Sequence, residues 1–138
     1  GKKLTGRKRH ILVDTLGNLL LVVVHAAGIA DCVGAKQVFE RLPLMWRQRL
    51  QVVWADGGYE GELWVWIYTL FHIVLAIVKR SANASGFVVL PKRWIVERTF
   101  AWLGRYRRLS KDYEHCPKSS EGMVYLASIH TMLKRLAA

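Results

Sequence analysis

Asp56 is a carboxylate at a position where α/β proteins commonly bind ligands. It follows a short β-type run at 51–55 and precedes Gly57 and Gly58. Open α/β sheets bind ligands just beyond the carboxyl ends of their strands. The two glycines allow a sharp turn and leave room for a closely packed group such as a phosphate. An Asp-Gly turn without a ligand is a common alternative, so this motif alone leaves both interpretations open.

Glu97 is a second candidate, on a helix predicted over about 92–113. A step of about 100° per residue gives that helix an apolar side made of Ile95, Thr99, Trp102, Tyr106 and Leu109. The opposite side carries Arg93, Glu97, Ala101, Gly104 and Arg108, with Arg98 and Arg105 at its border. Glu97 could pair with Arg93 four residues earlier, which would stabilise the helix by only roughly 0.3 kcal/mol. It could equally be a metal ligand among arginines that bind phosphate.

The charge distribution indicates a polyanionic partner. The chain of 138 residues has 21 Lys and Arg against 10 Asp and Glu, a formal net charge of +11. Residues 1–9 hold five basic residues and no acid, and residues 79–138 hold twelve basic and four acidic residues. Residues 10–78 between them hold four basic and six acidic residues. Two basic flanks around a less basic centre favour a nucleic acid; the alternative is a basic domain whose charges are only solvated.

The elements that must position these residues follow from the apolar patterns. The predicted strands lie at about 9–14, 19–25, 51–55 and 73–78, and the predicted helices at about 32–42, 60–70, 92–113 and 119–136. Gly17-Asn18 is a hairpin turn signal, Asp31 is a predicted N-cap, and 81–86 is a predicted loop. The order β-β-α-β-α-β followed by two helices predicts an α/β protein with a mixed sheet.

Composition also narrows the compartment and the kind of site. Cys32 and Cys116 form neither a disulfide framework nor a metal-binding pair, which favours a reducing cytoplasm. The histidines show no zinc-ligand spacing, so no zinc site is predicted. The apolar stretch Leu63–Val78 has 16 residues, whereas a membrane span needs roughly 20. A buried helix followed by a buried strand is therefore preferred over a membrane-associated protein.

Three blocks of the sequence resemble one family of proteins. They are GRKRHILVDTLGNLL at 6–20, ADGGYEG around Asp56, and FVVLPKRWIVERTFAWLGRYRRLSKDYE at 87–114. In the same order they resemble transposases of bacterial insertion sequences, of the family-five type within the family-four-like DDE superfamily. The resemblance implies a ribonuclease-H-like mixed sheet flanked by helices, with a helical C-terminus. It also implies a nucleoid-associated homo-oligomer that cleaves double-stranded DNA at the element's ends and joins it to target DNA.

The resemblance assigns roles to individual residues. Sites of this family use three carboxylates to hold two Mg²⁺ or Mn²⁺ ions; Asp56 matches the second carboxylate and Glu97 the third. Arg93 matches the arginine of the family's Arg-x-x-x-Glu element. The residues expected to contact DNA are Lys92, Arg93, Arg98, Arg105 and Arg108, with Arg7, Lys8 and Arg9. Lys2, Lys3 and Arg107 are further candidates for phosphate contacts.

The sequence departs from the family at its first catalytic aspartate, which is expected on a strand upstream of residue 1. Residues 1–138 are then the C-terminal portion of the catalytic domain, and this portion alone is expected to be inactive. Asp14 lies beside the predicted turn, so turn bonding is preferred over catalysis, and Asp31 is first a helix cap. The alternative function is a catalytically inactive, nucleic-acid-binding remnant of a transposase. Upstream sequence would distinguish the two.

Overall fold

A computed structural model gives the fold and describes residues 6–138. The strands are β1 (Arg7–Val13), β2 (Leu19–Ala26), β3 (Val52–Ala55) and β4 (Val74–Ile77). The helices are α1 (Asp31–Arg41), α2 (Leu44–Arg49), α3 (Leu63–Phe71), α4 (Arg93–Gly104) and α5 (Pro117–Ala137). Two short 3₁₀ helices cover Gly57–Tyr59 and Arg107–Leu109. The protein is mixed α/β, as the sequence predicted.

The chain forms two compact units. The hairpin unit comprises Gly1–Ala30 and Ile95–Ala138, and the central unit comprises Asp31–Trp94. In the hairpin unit β1 and β2 pair antiparallel, with a register shift between Leu12 and Val13. One face of β2 packs against α5, because valines two residues apart on a strand point to the same side. The resulting core consists of Val22, Val24, Leu103, Leu109, Val124 and Ala127.

The turn between β1 and β2 is held by side chains. The Asp14 carboxylate accepts hydrogen bonds from the backbone N–H groups of Leu16 and Asn18, both at 2.9 Å. This confirms the predicted turn bonding of Asp14. Gly17, with φ of 84°, takes a left-handed conformation that favours glycine. Thr99 Oγ1 on α4 donates to the Gly17 carbonyl at 3.0 Å, which ties the turn to that helix.

The central unit is a βαβ arrangement. Strands β3 and β4 pair parallel, with Val52 opposite Val74 and Ala55 opposite Ile77. Parallel neighbours need a crossover connection, and α3 provides it. Asp56 is the residue that directly follows the carboxyl end of β3.

The sheet differs from the single mixed sheet that the sequence predicted. The described residues form two separate two-stranded sheets, β1-β2 and β3-β4. The strand positions themselves were predicted to within about two residues. Apolar runs indicate where strands lie but carry no information on which strand hydrogen-bonds to which, and that information was needed for the sheet order.

Three helices differ from the prediction. The helix predicted over 92–113 ends at Gly104, where bonds from Arg105 to Trp102 and from Tyr106 to Leu103 tighten its last turn. Helix α3 begins at Leu63 rather than near residue 60, because Gly61 has a non-helical φ of 108°. Helix α2 was not predicted, since its six residues are too few to show helical periodicity.

The apolar stretch at 63–78 is only partly buried. Leu63, Ile67 and Ile73 are buried, whereas Trp64 and Leu70 are each more than half exposed. The prediction of a helix followed by a strand is confirmed, but burial is limited to one side of α3 and to Ile73, and no residue of β4 is buried. Among residues 6–138 no helix is long and apolar enough to cross a membrane.

Candidate active site

Asp56 caps the short 3₁₀ helix at the end of β3. Its Oδ1 accepts a hydrogen bond from the backbone N–H of Gly58 at 2.9 Å. The Asp-Gly turn considered from the sequence is therefore present. The carboxylate can accept further bonds, because it offers about four acceptor positions and this hydrogen bond uses one of them. Asp56 is half-buried, so its carboxylate remains accessible.

Asp31 lies beside the same turn. Gly58 separates the two acids: a Cβ at that position would lie 3.1 Å from Asp56 Oδ1 and 3.6 Å from Asp31 Oδ2. The N-cap prediction for Asp31 was wrong by one position, since α1 begins with Asp31 itself. Cys32 Sγ, 3.8 Å from the Gly58 carbonyl oxygen, links α1 to the turn.

Tyr59 reports on the electrostatics of this turn. Burial, followed by the negative charges of Asp31, Asp56 and Cys32, raises the pKa of Tyr59 to about 12. Each of these influences disfavours a phenolate. Burial is the largest of these influences, and the charges of the two carboxylates add to it.

The raised pKa of Tyr59 predicts alkaline sensitivity. An unfolded tyrosine loses its proton near pH 10, whereas folded Tyr59 keeps its proton up to about pH 12. Between these values the unfolded state binds fewer protons, so the free energy of unfolding falls as pH rises. We expect Tyr59→Phe to make that fall shallower in urea unfolding across this window. Tyr68→Phe removes an exposed phenol of the same unit and is the control; equal slopes for Tyr59→Phe and the wild type would contradict the assignment.

Lys92 is one of the cations of the central unit that lie against aromatic rings. Its Nζ lies 5.1 Å from the ring centroid of Trp54, two residues before Asp56. Lys92 has φ of 65° and is exposed. Trp54 was not singled out from the sequence, because an aromatic residue in a strand is most often part of a core.

Glu97 lies on the exposed side of α4, as predicted. Ile95 and Thr99 on the opposite side are buried, and Arg93 at the start of the helix is exposed. Trp102, which the sequence places on the apolar side of this helix, is half-buried. The guanidinium carbons of Arg98 and Arg135 lie 4.6 and 5.1 Å from its ring centroid.

The basic residues of β1 have partners within the hairpin unit. Arg7 donates to the carbonyls of Glu114 and His115 at 2.9 and 2.7 Å, and it lies 3.0 Å from the carboxylate of Asp112. Lys8 and Arg9 also donate to backbone carbonyls, at 3.0 Å each. These contacts give the three side chains a structural role, and their contact with DNA stays a prediction.

The arginines of α4 and of the segment after it differ in whether their side chains bond to other parts of the protein. Arg98 donates to the Leu16 carbonyl at 2.8 Å. Arg108 bonds the Glu114 carboxylate at 2.8 Å, and this contact raises the pKa of Arg108. Arg105 is exposed, and no hydrogen bond or ion pair of its side chain is present within residues 6–138. Lys2 and Lys3 lie outside the described residues.

The turn at Asp56 has the ligand chemistry that Mg²⁺ or Mn²⁺ prefers. Carboxylate oxygens are hard ligands, and Gly58 leaves open the space that a side chain would fill between two of them. In the described part of the chain no three His, Cys, Asp or Glu side chains form a group that could hold a metal ion.

Comparison with known proteins agrees with the resemblance seen in the sequence. No solved structure matches the chain. A protein of Burkholderia cepacia, described as a candidate transposase for insertion sequence element IS402, is 32% identical over 115 residues. The match covers 79% of this chain and 54% of the relative, so the chain spans about half the relative's length. The family model described as Transposase DDE domain matches residues 1–132. The chain therefore belongs to the DDE transposases of bacterial insertion sequences.

Proposed function

We propose that this chain is part of the catalytic domain of a transposase that cleaves DNA at insertion-sequence ends and joins the ends to target DNA. Membership of the family supports the proposal, and the observation that carries it is the half-buried Asp56 at the end of β3, whose carboxylate accepts a single hydrogen bond from the N–H of Gly58. When bound, a divalent cation would activate the attacking water or 3′-hydroxyl and stabilise the attacking and leaving oxygens.

Asp56 and Glu97 are the proposed ligands of Mg²⁺ or Mn²⁺. Asp56 is oriented by the N–H of Gly58, which fixes one carboxylate oxygen and leaves the other for a cation. Glu97 is exposed on α4, with the exposed side chain of Arg93 at the start of the same helix. Arg93 would hold a phosphate of the DNA backbone through its planar guanidinium.

The remaining proposed DNA contacts are electrostatic. Lys92 and Arg105 are exposed, and a cation–π contact with Trp54 limits the freedom of the Lys92 ammonium group. Such contacts give affinity and salt dependence but little sequence specificity. Arg98 and Arg108, which already have protein partners, would contribute mainly through their positive potential.

The proposal includes a part of the transposase that is not in this chain. We infer that a third carboxylate comes from an upstream strand that completes a ribonuclease-H-like sheet, and that this chain alone does not cleave DNA. A homo-oligomer acting on paired ends in the bacterial cytoplasm belongs to the same proposal. The relative in Burkholderia cepacia is about twice as long as the segment it shares with this chain.

Cleavage of end-containing DNA by the full-length transposase tests the proposal. With Mg²⁺ we expect nicks at the element's ends, and with EDTA we expect none. Asp56→Ala and Glu97→Ala should each reduce cleavage to background while leaving DNA binding intact. Glu40→Ala is the matched control, since Glu40 is an exposed acid on α1, and it should cleave like the wild type.

The same experiment distinguishes the alternative function. An inactive nucleic-acid-binding remnant would retain salt-dependent binding of end-containing DNA but show no cleavage in any variant or metal. Full activity in Asp56→Ala would remove Asp56 from the active site. Cleavage by residues 1–138 alone that depends on Asp56 would contradict the inference that a further carboxylate is required.

A further inference from the structure

Two arginines lie against the ring of Trp102 in the hairpin unit. The guanidinium carbons of Arg98 and Arg135 are 4.6 and 5.1 Å from the centroid of that ring. Because both cations share one ring, whose face attracts positive charge, the two carbons are at most about 10 Å apart. All three residues belong to the same compact unit, so their relative placement is a property of that unit.

Neutral groups orient the side chain of Arg135, which is exposed. Its Nη1 donates to Asn18 Oδ1 at 2.8 Å, and Asn18 Nδ2 donates in turn to the Asp14 carboxylate at 2.9 Å. Within residues 6–138 no carboxylate lies within ion-pair distance of Arg135 itself. A guanidinium offers five N–H donors, and this hydrogen bond uses one of them. Arg135 is therefore held in place while it keeps its charge and has donors left for an anion.

We propose that Arg135 binds a backbone phosphate of DNA, with Arg98 adding positive potential beside it, an inference that rests on the proposed function. A planar guanidinium matches the geometry of two phosphate oxygens. Each strand of duplex DNA carries one phosphate per about 3.4 Å of helix axis, so both arginines can act on the same short stretch of backbone. A carboxylate partner would have cancelled the charge of Arg135, whereas an amide and an aromatic ring orient it without doing so.

The fold places Arg135 through the packing of α5. Val124 and Ala127 on that helix are buried. Arg135 follows Thr131 by four residues, so the two side chains are neighbours on the helix surface. Thr131 Oγ1 lies 2.9 Å from the Tyr106 hydroxyl, which holds this part of α5 against the segment after α4. The hollow beside the ring has no carboxylate in its lining, which includes Gly17, Asn18, Thr99, Trp102, Thr131 and Arg135.

A purely structural role is one competing explanation for Arg135. Its hydrogen bond joins residues 117 positions apart and could simply tie the end of α5 to the hairpin turn. That role predicts a loss of stability when the side chain is shortened, but no change in the salt dependence of DNA binding. General surface charge is the other explanation, and it predicts the same effect for any exposed cation nearby, such as Lys134.

Binding of the purified chain to duplex DNA, measured by fluorescence anisotropy at several salt concentrations, tests the proposal. We expect Arg135→Gln to weaken binding on the order of fivefold. In a plot of the logarithm of the binding constant against the logarithm of the salt concentration, its slope should be less steep by about 0.9. Arg135→Lys keeps the charge but not the planar donor group, so it should keep the slope and bind with intermediate affinity. Melting temperatures establish that each variant is folded.

Lys134→Gln is the matched control, because Lys134 is an exposed cation in the same turn of α5 and has no hydrogen bond or ring contact within residues 6–138. It should keep the wild-type slope. An unrelated duplex should give the same results as one that contains an element's end, since phosphate contacts carry no sequence information.

Each contrary outcome has a distinct meaning. Equal changes of slope in Arg135→Gln and Lys134→Gln would overturn the proposal in favour of general surface charge. A wild-type slope in Arg135→Gln with a lower melting temperature would assign Arg135 a structural role. An effect confined to the element's end would contradict a phosphate contact and indicate a contact to bases. If the wild-type chain did not bind duplex DNA, the DNA contacts of the proposed function would fail together with this inference.

Discussion

Replacing Gly17 with alanine should destabilise the protein by about 2–4 kcal/mol. Gly17 has φ of 84°, a conformation that costs energy for any residue with a Cβ. The added atom would also lie 2.9 Å from Thr99 Oγ1, 3.1 Å from Arg98 Nη2 and 3.3 Å from the ring of Trp102. The turn would have to move away from α4, which would weaken the hydrogen bond from Thr99 to the Gly17 carbonyl.

Urea unfolding followed by circular dichroism measures this effect. Gly28→Ala is the matched control, because Gly28 lies in a loop of the same unit with no atom within 4 Å of its Cβ position. We expect the control to unfold within about 0.5 kcal/mol of the wild type. If Gly17→Ala unfolded at the same urea concentration as Gly28→Ala, the close approach of the turn to α4 would be incorrect.

The turn also illustrates what the sequence could and could not predict. Gly17-Asn18 between two apolar runs predicted the hairpin, because turn chemistry and strand pattern are local properties. The sequence did not predict that Thr99 reaches the Gly17 carbonyl, since this contact joins residues 82 positions apart. The same limit applies to the sheet order, where strand positions were predicted but the division into two sheets was not.

In the candidate site, too, features that are local in the sequence were predicted and contacts that depend on packing were not. Asp56 was found because a carboxylate, a strand and two glycines are adjacent in the sequence. Asp31 was interpreted first as a cap, because its approach to Gly58 depends on how α1 packs in the central unit. Helix caps and ligands can both lie at the start of a helix, so the sequence alone could not distinguish the two roles for Asp31. The contact between Lys92 and Trp54 could not be inferred at all.

Charge composition predicted a basic protein surface. It could not show which cationic side chains bond to other parts of the protein and which are exposed and could bind DNA. Arg7 and Arg105 carry the same charge, yet Arg7 has three partners in the hairpin unit while Arg105 is exposed. We therefore expect their alanine variants to have opposite consequences. Arg7→Ala should destabilise the protein by about 2 kcal/mol, because it removes charge-assisted hydrogen bonds and leaves Asp112 without this partner.

Arg105→Ala should leave the free energy of unfolding within about 0.5 kcal/mol of the wild type. If Arg105 contacts a DNA phosphate, its loss should weaken DNA binding. In a plot of the logarithm of the binding constant against the logarithm of the salt concentration, the loss should also make the slope less steep by about 0.9. Arg7→Ala should keep the wild-type slope under conditions in which it is folded. Fluorescence anisotropy with duplex DNA at several salt concentrations, alongside urea unfolding, measures both effects. A reduced slope in Arg7→Ala would assign Arg7 to the DNA surface, in spite of its bonds to the 112–115 segment. The reason is that counterion release depends on the number of phosphate contacts and not on the stability of the fold.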